Sequence, residues 1–322
     1  MIPPNDKIVI CFAHVAYQLH ERFSALETGI NSFAVRDPET LVKRVSEADV
    51  LVNSGLWQNL LLHRTKRLRF IQSIGAGTDQ FPREELARHG IRLASARGVN
   101  ARAVAEHAMA LMLALSRRLP EARDNQSKRI WRGMIGDLFQ REDELGGKTL
   151  LVVGLGDIGG RLAQLAKAFD MHVVGLRRHP ALGRGAADAV HAMEELNALL
   201  PDADFVALTC PLTAETERLI DAQALSRMKP AAHLVNVARG RVVEEAALIE
   251  ALTTHRIAGA GIDVTAEDPL APSSPLWAME HVLITPHAAG ETRRYEDNVI
   301  EILLDNLGRL WRGEAQLRNQ IV

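Results

Sequence analysis

The stretch Thr149-Leu150-Leu151-Val152-Val153-Gly154-Leu155-Gly156-Asp157-Ile158-Gly159 decides how this chain folds. Its first five residues are apolar or β-branched, the pattern of a short buried strand, and residues 161–169 then follow a helical period. Glycine is needed between them where the turn is tight, where backbone approaches a pyrophosphate, and where helix and strand pack closely. The helix start also offers unpaired N–H groups to an anion. A second apolar run at 172–176 completes strand, turn, helix and strand within about 30 residues, the unit that binds a dinucleotide. Gly154, Gly156, Asp157, Ile158 and Gly159 are therefore cofactor-binding candidates.

The residue after that second strand bears on which dinucleotide is bound. An acid normally stands there to accept a hydrogen bond from the ribose 2′-hydroxyl of NAD. Here the position, 18 residues beyond Gly159 (177 − 159 = 18), is Arg177, followed by Arg178 and His179. A cationic pair attracts the extra 2′-phosphate of NADP and deprives NAD of its acceptor. NADP(H) is favoured on this ground and NAD(H) is the alternative. Two solvated surface arginines are the bland explanation.

Further from the glycine turn, the same alternation continues. Short apolar runs at 8–12, 50–52, 70–73 and 91–94 alternate with helical patterns, and after the glycine-rich unit further runs follow at 205–209, 233–237, 257–264 and 282–285. The fold class expected is α/β with two doubly wound parallel sheets and a ligand crevice between two lobes. Between the two series, residues 101–119 read as a long apolar helix, either a buried connector or a helix shared in a dimer.

Composition narrows the function classes. With 322 residues, 47% of them hydrophobic, the chain can bury two cores. A formal net charge of −2 gives no electrostatic footprint for nucleic acid or an anionic membrane, so the expected partner is a small molecule. Cys11 and Cys210 are far apart without metal-ligand spacing, which suits core thiols in a reducing compartment, and no metal site is expected. The start, Met1-Ile2-Pro3-Pro4-Asn5-Asp6, lacks the regions of a signal peptide, and the expected location is cytoplasmic.

In a doubly wound sheet, residues just beyond the C-terminal ends of neighbouring strands point into one crevice even when distant in sequence. Arg239 follows the run at 233–237, Asp263 closes the run at 257–264 with Asp268 five residues on, and His287 follows 282–285. Reduction of a 2-oxo acid needs a group for the carboxylate, a polariser for the C2 carbonyl and a proton donor for the developing alkoxide. Arginine suits the first two tasks through its fork of donors, histidine suits the third, and a neighbouring carboxylate orients the imidazole. Singly, each residue has an ordinary explanation as a cap, a turn residue or a surface charge.

A second anion site is suggested by Ser73-Ile74-Gly75-Ala76-Gly77-Thr78-Asp79. Closely spaced glycines let successive N–H groups curl toward an anion, so Gly75, Ala76 and Gly77 are substrate-carboxylate candidates, an ordinary tight turn being the alternative. Leu56 and Trp57 follow a strand and are read either as substrate-selecting or as core.

These segments, together with Ala105-Glu106-His107, Val235-Asn236-Val237-Ala238-Arg239-Gly240, Gly261-Ile262-Asp263-Val264 and Thr285-Pro286-His287, resemble the D-isomer-specific 2-hydroxyacid dehydrogenase family along essentially the whole chain. The resemblance implies a Rossmann cofactor domain (101–287) inserted into a flavodoxin-like substrate domain (1–100 plus 288–322), and a homodimer joined through the cofactor domains. It implies an Arg, Glu, His catalytic set, which falls on Arg239, Asp268 and His287, with Asp263 near the nicotinamide and Cys210, Pro211 and Ala238 added to the cofactor contacts. Two departures stand out. Asp268 occupies the place of the usual glutamate, shorter by roughly 1.5 Å, so Glu267 competes with it as partner of the histidine. Arg177 replaces the NAD-selective acid, as in the NADP-using glyoxylate and hydroxypyruvate reductase branch.

The reading that follows is an oxidoreductase passing hydride between NADP(H) and C2 of a small 2-oxo or D-2-hydroxy acid. The rivals are a phosphoglycerate-, formate- or phosphite-type dehydrogenase of the same fold, and a non-catalytic, dinucleotide-sensing binding protein resembling corepressors.

Overall fold

The structure is a computed structural model that describes residues 2–322. The chain divides into two compact units, one formed by Met1–Asn100 with Thr292–Val322 and the other by Ala101–Glu291. The return crossing thus falls after Glu291, four residues beyond the boundary read from the sequence.

The first unit holds five parallel strands, β1 (Val9–Ala13), β2 (Asn31–Val35), β3 (Val50–Asn53), β4 (Phe70–Ser73) and β5 (Arg92–Ala94). Their order is β2-β1-β3-β4-β5, the flavodoxin-like winding. β1, β3 and β4 are fully or almost fully buried, which explains their mostly apolar sequences. β2 went unread in the sequence because it lies at the sheet's edge, where Asn31 is exposed and its next three residues are half-buried. On one face the helix Tyr295–Trp311 buries Tyr295, Val299, Ile300, Leu303 and Leu307 beside Phe12, Phe23 and Phe70. Tyr295 donates through its phenol to the Ile74 carbonyl at 2.5 Å, and Asn306 donates to the Gln72 side chain at 3.0 Å, so neither buried polar group is left unpaired. The C-terminal tail then pairs with the other edge, Leu93 N–H donating to Val322 and Ile321 N–H to Leu93, which covers an open strand.

The second unit holds seven parallel strands: β6 (Thr149–Val153), β7 (His172–Leu176), β8 (Ala189–His191), β9 (Phe205–Leu208), β10 (His233–Asn236), β11 (Gly259–Ile262) and β12 (Val282–Ile284). The order β12-β11-β10-β9-β6-β7-β8 reverses direction between β6 and β9, the switch point where such sheets take their ligands. Helix Ala101–Ser116 lies against helix Asp157–Ala168 on one face and buries Val104, Ala105, Ala108, Met109, Leu111 and Met112. Helices Ala222–Arg227 and Glu245–Thr253 cover the opposite face through Ala224, Leu225, Leu248 and Leu252. β8, like β2, is a half-buried edge strand, too short to announce itself. Among the described residues no helix is long and apolar enough to cross a membrane.

Candidate active site

The glycine turn at the end of β6 is shaped by contacts that exclude side chains. Gly154 has φ of +103°, and a Cβ there would lie 2.6 Å from the backbone of Cys210. A Cβ on Gly159 would lie 2.4 Å from the Gly154 carbonyl, so the helix could not start as close to the strand. At Gly156, the N-cap of helix Asp157–Ala168, a Cβ would meet nothing within 4 Å, leaving open space above the first N–H groups of the helix, at Asp157 and Ile158. Thr209, just past β9, donates its hydroxyl to the Gly154 carbonyl at 2.8 Å and fixes the turn from the neighbouring strand. Both thiols are core groups: burial pushes Cys11 up to about 12 and Cys210 up to about 11. Pro211 is exposed beside it, and Ala238 is buried at the end of β10.

Arg177 follows β7 directly, and the carbonyl before it accepts from both Gly154 N–H (2.9 Å) and Leu155 N–H (2.8 Å), so the arginine pair stands next to the glycine turn. The Arg177 guanidinium donates to the Gly183 carbonyl at 2.9 Å, and Arg178 lies 3.7 Å from the Glu215 carboxylate, both of these side chains exposed. The place where an acid would grip a ribose is thus cationic. These residues fit a nicotinamide dinucleotide: an open cradle at a helix N-terminus with two arginines beside it.

The C-terminal ends of β10, β11 and β12, in register as Asn236, Ile262 and Ile284, carry the polar residues picked from the sequence. Arg239 stands three residues beyond β10 and is exposed, donating to its neighbouring Ala238 carbonyl at 2.7 Å. Buried Asn236 pins its loop by accepting from Ala238 N–H and donating to the Arg239 carbonyl. A Cβ on Gly240 would fall 1.9 Å from the Thr265 carbonyl, so the Arg239 loop packs directly on the segment leading to Asp268.

His287 and Asp268 meet: Nδ1 of the imidazole lies 2.6 Å from Oδ2 of the carboxylate, each side chain about half exposed. An ionised carboxylate only accepts, so Nδ1 carries the hydrogen and Nε2 is left for another partner. Asp268, not Glu267, makes this bond; the Glu267 carbonyl instead accepts from the Thr265 hydroxyl. His287 has φ of +55°, held by its N–H donating to the Asp263 and Thr285 carbonyls. Asp263 is buried, and its carboxylate accepts from the Thr285 hydroxyl (2.6 Å), Ala288 N–H (3.0 Å) and Ala289 N–H (3.1 Å). Asp263 therefore clamps the turn that presents His287. Thr285, Asn236 and Thr209 carry this local order and were not singled out in the sequence, because small polar residues at strand ends have no distinguishing pattern.

In the other unit, Gly75, Ala76 and Gly77 follow β4, with Ser73 Oγ accepting from Gly75 N–H at 3.3 Å. Gly75 does not use glycine's special backbone region, and a Cβ there would find its nearest atom at 3.5 Å, so the sequence argument for glycine is not reproduced at that position. Leu56 and Trp57 are buried in the core with Phe81, as the bland reading had it. A cavity of about 690 Å³ in the second unit lies at the opposite, N-terminal ends of β9 to β12, lined by Asp204, His233 and His281 among others. Its size does not make it the site, since the polar set above stands at the other end of the strands. Among the described residues no group of histidine, cysteine and acidic side chains is placed to hold a metal ion.

A family model for the D-isomer specific 2-hydroxyacid dehydrogenase NAD-binding domain matches residues 109–289, more than half of the chain. The chain belongs to that family. It is thus an oxidoreductase of the D-2-hydroxyacid dehydrogenase type. A glyoxylate/hydroxypyruvate reductase B from Pectobacterium atrosepticum is 34% identical over 312 residues, 96% of each chain. A D-3-phosphoglycerate dehydrogenase from Synechocystis is 36% identical over 242 residues, 74% of this chain but 42% of its own length. Among solved structures, an NADPH-dependent glyoxylate/hydroxypyruvate reductase from Sinorhizobium meliloti, in complex with NADP and malonate, superposes with a TM-score of 0.81 at 25% identity, covering 98% of this chain and 97% of the other.

Proposed function

We propose that this dehydrogenase reduces a short 2-oxo acid of the glyoxylate or hydroxypyruvate kind to its D-2-hydroxy acid, using NADPH. The observation that carries the reading is the 2.6 Å bond between His287 and Asp268, which leaves Nε2 of the imidazole for a substrate oxygen. Gly154, Gly156, Asp157, Ile158 and Gly159 would cradle the pyrophosphate, with Cys210, Pro211 and Ala238 bordering it. Arg177 and Arg178 would hold the 2′-phosphate, and NAD(H) is the second cofactor to be tested. When bound, the dinucleotide supplies the hydride.

The protein's part is to hold the acid and move the proton. Arg239 presents a fork of donors to the carboxylate and the C2 oxygen. His287 delivers the proton from Nε2 as the oxygen gains charge, Asp268 stabilises the ring's charged form and keeps its orientation, and Asp263 holds the turn. The Gly75–Gly77 turn is proposed as an anion-binding element in its own right. The similarity to a glyoxylate/hydroxypyruvate reductase over nearly the full length of both chains supports this substrate class over phosphoglycerate, whose dehydrogenase relative is matched over less than half its length. The test is parallel oxidation of NADPH and NADH against glyoxylate, hydroxypyruvate, pyruvate, phenylpyruvate and 3-phosphohydroxypyruvate. Faster NADPH oxidation with the small acids is expected. Preference for the phosphorylated acid would move the assignment to the phosphoglycerate type, and cofactor binding without turnover to the sensor.

The segment after helix Ala101–Ser116 supports a homodimer. Trp131 and Met134 are fully exposed, and Leu119, Ile130 and Leu138 are more than half exposed, a run of apolar surface that a water-facing arm does not sustain. Sedimentation of the wild type as a dimer, and of the double variant Trp131→Glu, Met134→Glu as a monomer, is expected; a monomeric wild type would refute the assembly.

A further inference from the structure

Helix Ala101–Ser116 contributes a side chain to the active-site end of the sheet that the mechanism above does not use. His107 Nε2 lies 2.9 Å from the Thr285 hydroxyl, and that hydroxyl lies 2.6 Å from Asp263 Oδ1. The direct separation of His107 Nε2 from Asp263 Oδ1 is 3.6 Å, so the hydroxyl is the link. A threonine hydroxyl has one hydrogen, and the buried carboxylate that already accepts from two backbone N–H groups takes it. The Thr285 oxygen is then an acceptor, and the hydrogen between it and His107 belongs to Nε2. The chain of donation runs from His107 to Thr285 to Asp263, and Asp263 in turn accepts from the two N–H groups immediately after His287.

We propose that His107 is a positioning residue for the reaction: by donating to Thr285 it fixes the Asp263 carboxylate, and with it the 287–289 turn that aims the His287 imidazole. The proposal rests on the reading of His287 as proton donor. A turn whose leading residue has φ of +55° is held by its hydrogen bonds more than by its own preference, and two of those bonds, from Ala288 and Ala289 N–H, end on the Asp263 carboxylate that this network orients. Without the His107 donor, nothing holds the Thr285 oxygen from the helix side, and the hydroxyl that donates to Asp263 is less firmly oriented.

The experiment compares His107→Gln, which keeps a donor near the Nε2 position, with His107→Leu, which keeps bulk alone, and with His287→Ala. Each is assayed for 2-oxo acid reduction and, separately, for NADPH binding by fluorescence. His107→Leu is expected to lower kcat by about 10- to 100-fold with NADPH binding changed less than about threefold, and His107→Gln to recover most of that loss. Equal rates for the Gln and Leu variants, or a parallel loss of NADPH binding, would overturn the proposal. A His287→Ala enzyme with undiminished rate would instead overturn the reading beneath it. Nitrogen NMR of histidine-labelled wild type, with His107 assigned by its absence from the Gln variant, gives a check that does not depend on any variant's activity. It should show a hydrogen on Nε2, and a bare Nε2 would also overturn the proposal.

Discussion

The imidazole of His287 and the carboxylate of Asp268 share a 2.6 Å hydrogen bond although 19 residues separate them and each side chain is about half exposed. The bond joins the loop after β12 to the loop after β11, so it depends on the sheet order that makes those strands neighbours. The loop that carries Asp268 begins at Thr265, on which Gly240 packs too closely to admit a side chain.

Replacing Asp268 with asparagine keeps the size but offers no charge to a ring that must become cationic or return from it. The expected outcome is a fall in kcat of about 10- to 1000-fold with little change in NADPH binding. Steady-state kinetics beside fluorescence titration checks this. A kcat within threefold of wild type would show that another group orients the imidazole.

Arg177→Ala and Arg178→Ala remove the cations beside the glycine turn. Loss of one charge-assisted contact to a phosphate predicts about a 10- to 100-fold drop in kcat/KM for NADPH, with NADH changed less than about threefold. Arg178 begins near Glu215, so its removal is expected to cost less than that of Arg177. Equal losses with both cofactors would show that the pair does not read the 2′-position.

His233, at the start of β10, is held below its ordinary value of 6.5, at about 4. Burial is the first cause; His281 and Lys148 add to it, Asp143 opposes it, and the Phe205 ring stacks on it at 5.2 Å. Between pH 6.5 and 4 the unfolded chain binds a proton that the folded one refuses, so stability falls as pH drops through this window. The loss approaches on the order of 2 kcal/mol below pH 4, allowing for screening of a partly exposed ring. The denaturation midpoint of wild type relative to that of His233→Gln should therefore fall as the pH is lowered from 7 to 4. Parallel pH curves for the two proteins would contradict the burial argument.

The sequence was most readable where burial is complete. β6 and β7 are apolar and buried after their first residue, and two of the glycines between them, Gly154 and Gly159, are dictated by close contacts, so strand, turn and helix could be placed almost to the residue. Edge strands β2 and β8 were not readable, because half-buried residues carry no unbroken apolar run. Arg239, Asp268 and His287 could be gathered because each follows a strand, and the topology does the rest. Asp263 was placed by the same rule, but its burial and its grip on the 288–289 N–H groups depend on a loop conformation that periodicity does not encode. His107 and Thr285 stood in segments the sequence marked, but their pairing was not readable: a histidine on an apolar helix and a threonine at a strand end become partners only once the helix is laid across the sheet.

If His287 gives the proton while other residues hold the cofactor, its loss separates rate from binding. NADPH oxidation with hydroxypyruvate by wild type and His287→Ala, with NADPH binding measured on the same preparations, tests this. The expected result is a rate at least about 100-fold lower in the variant and an unchanged binding constant. A variant that turns over at the wild-type rate, or one that loses cofactor binding in step with activity, would contradict it.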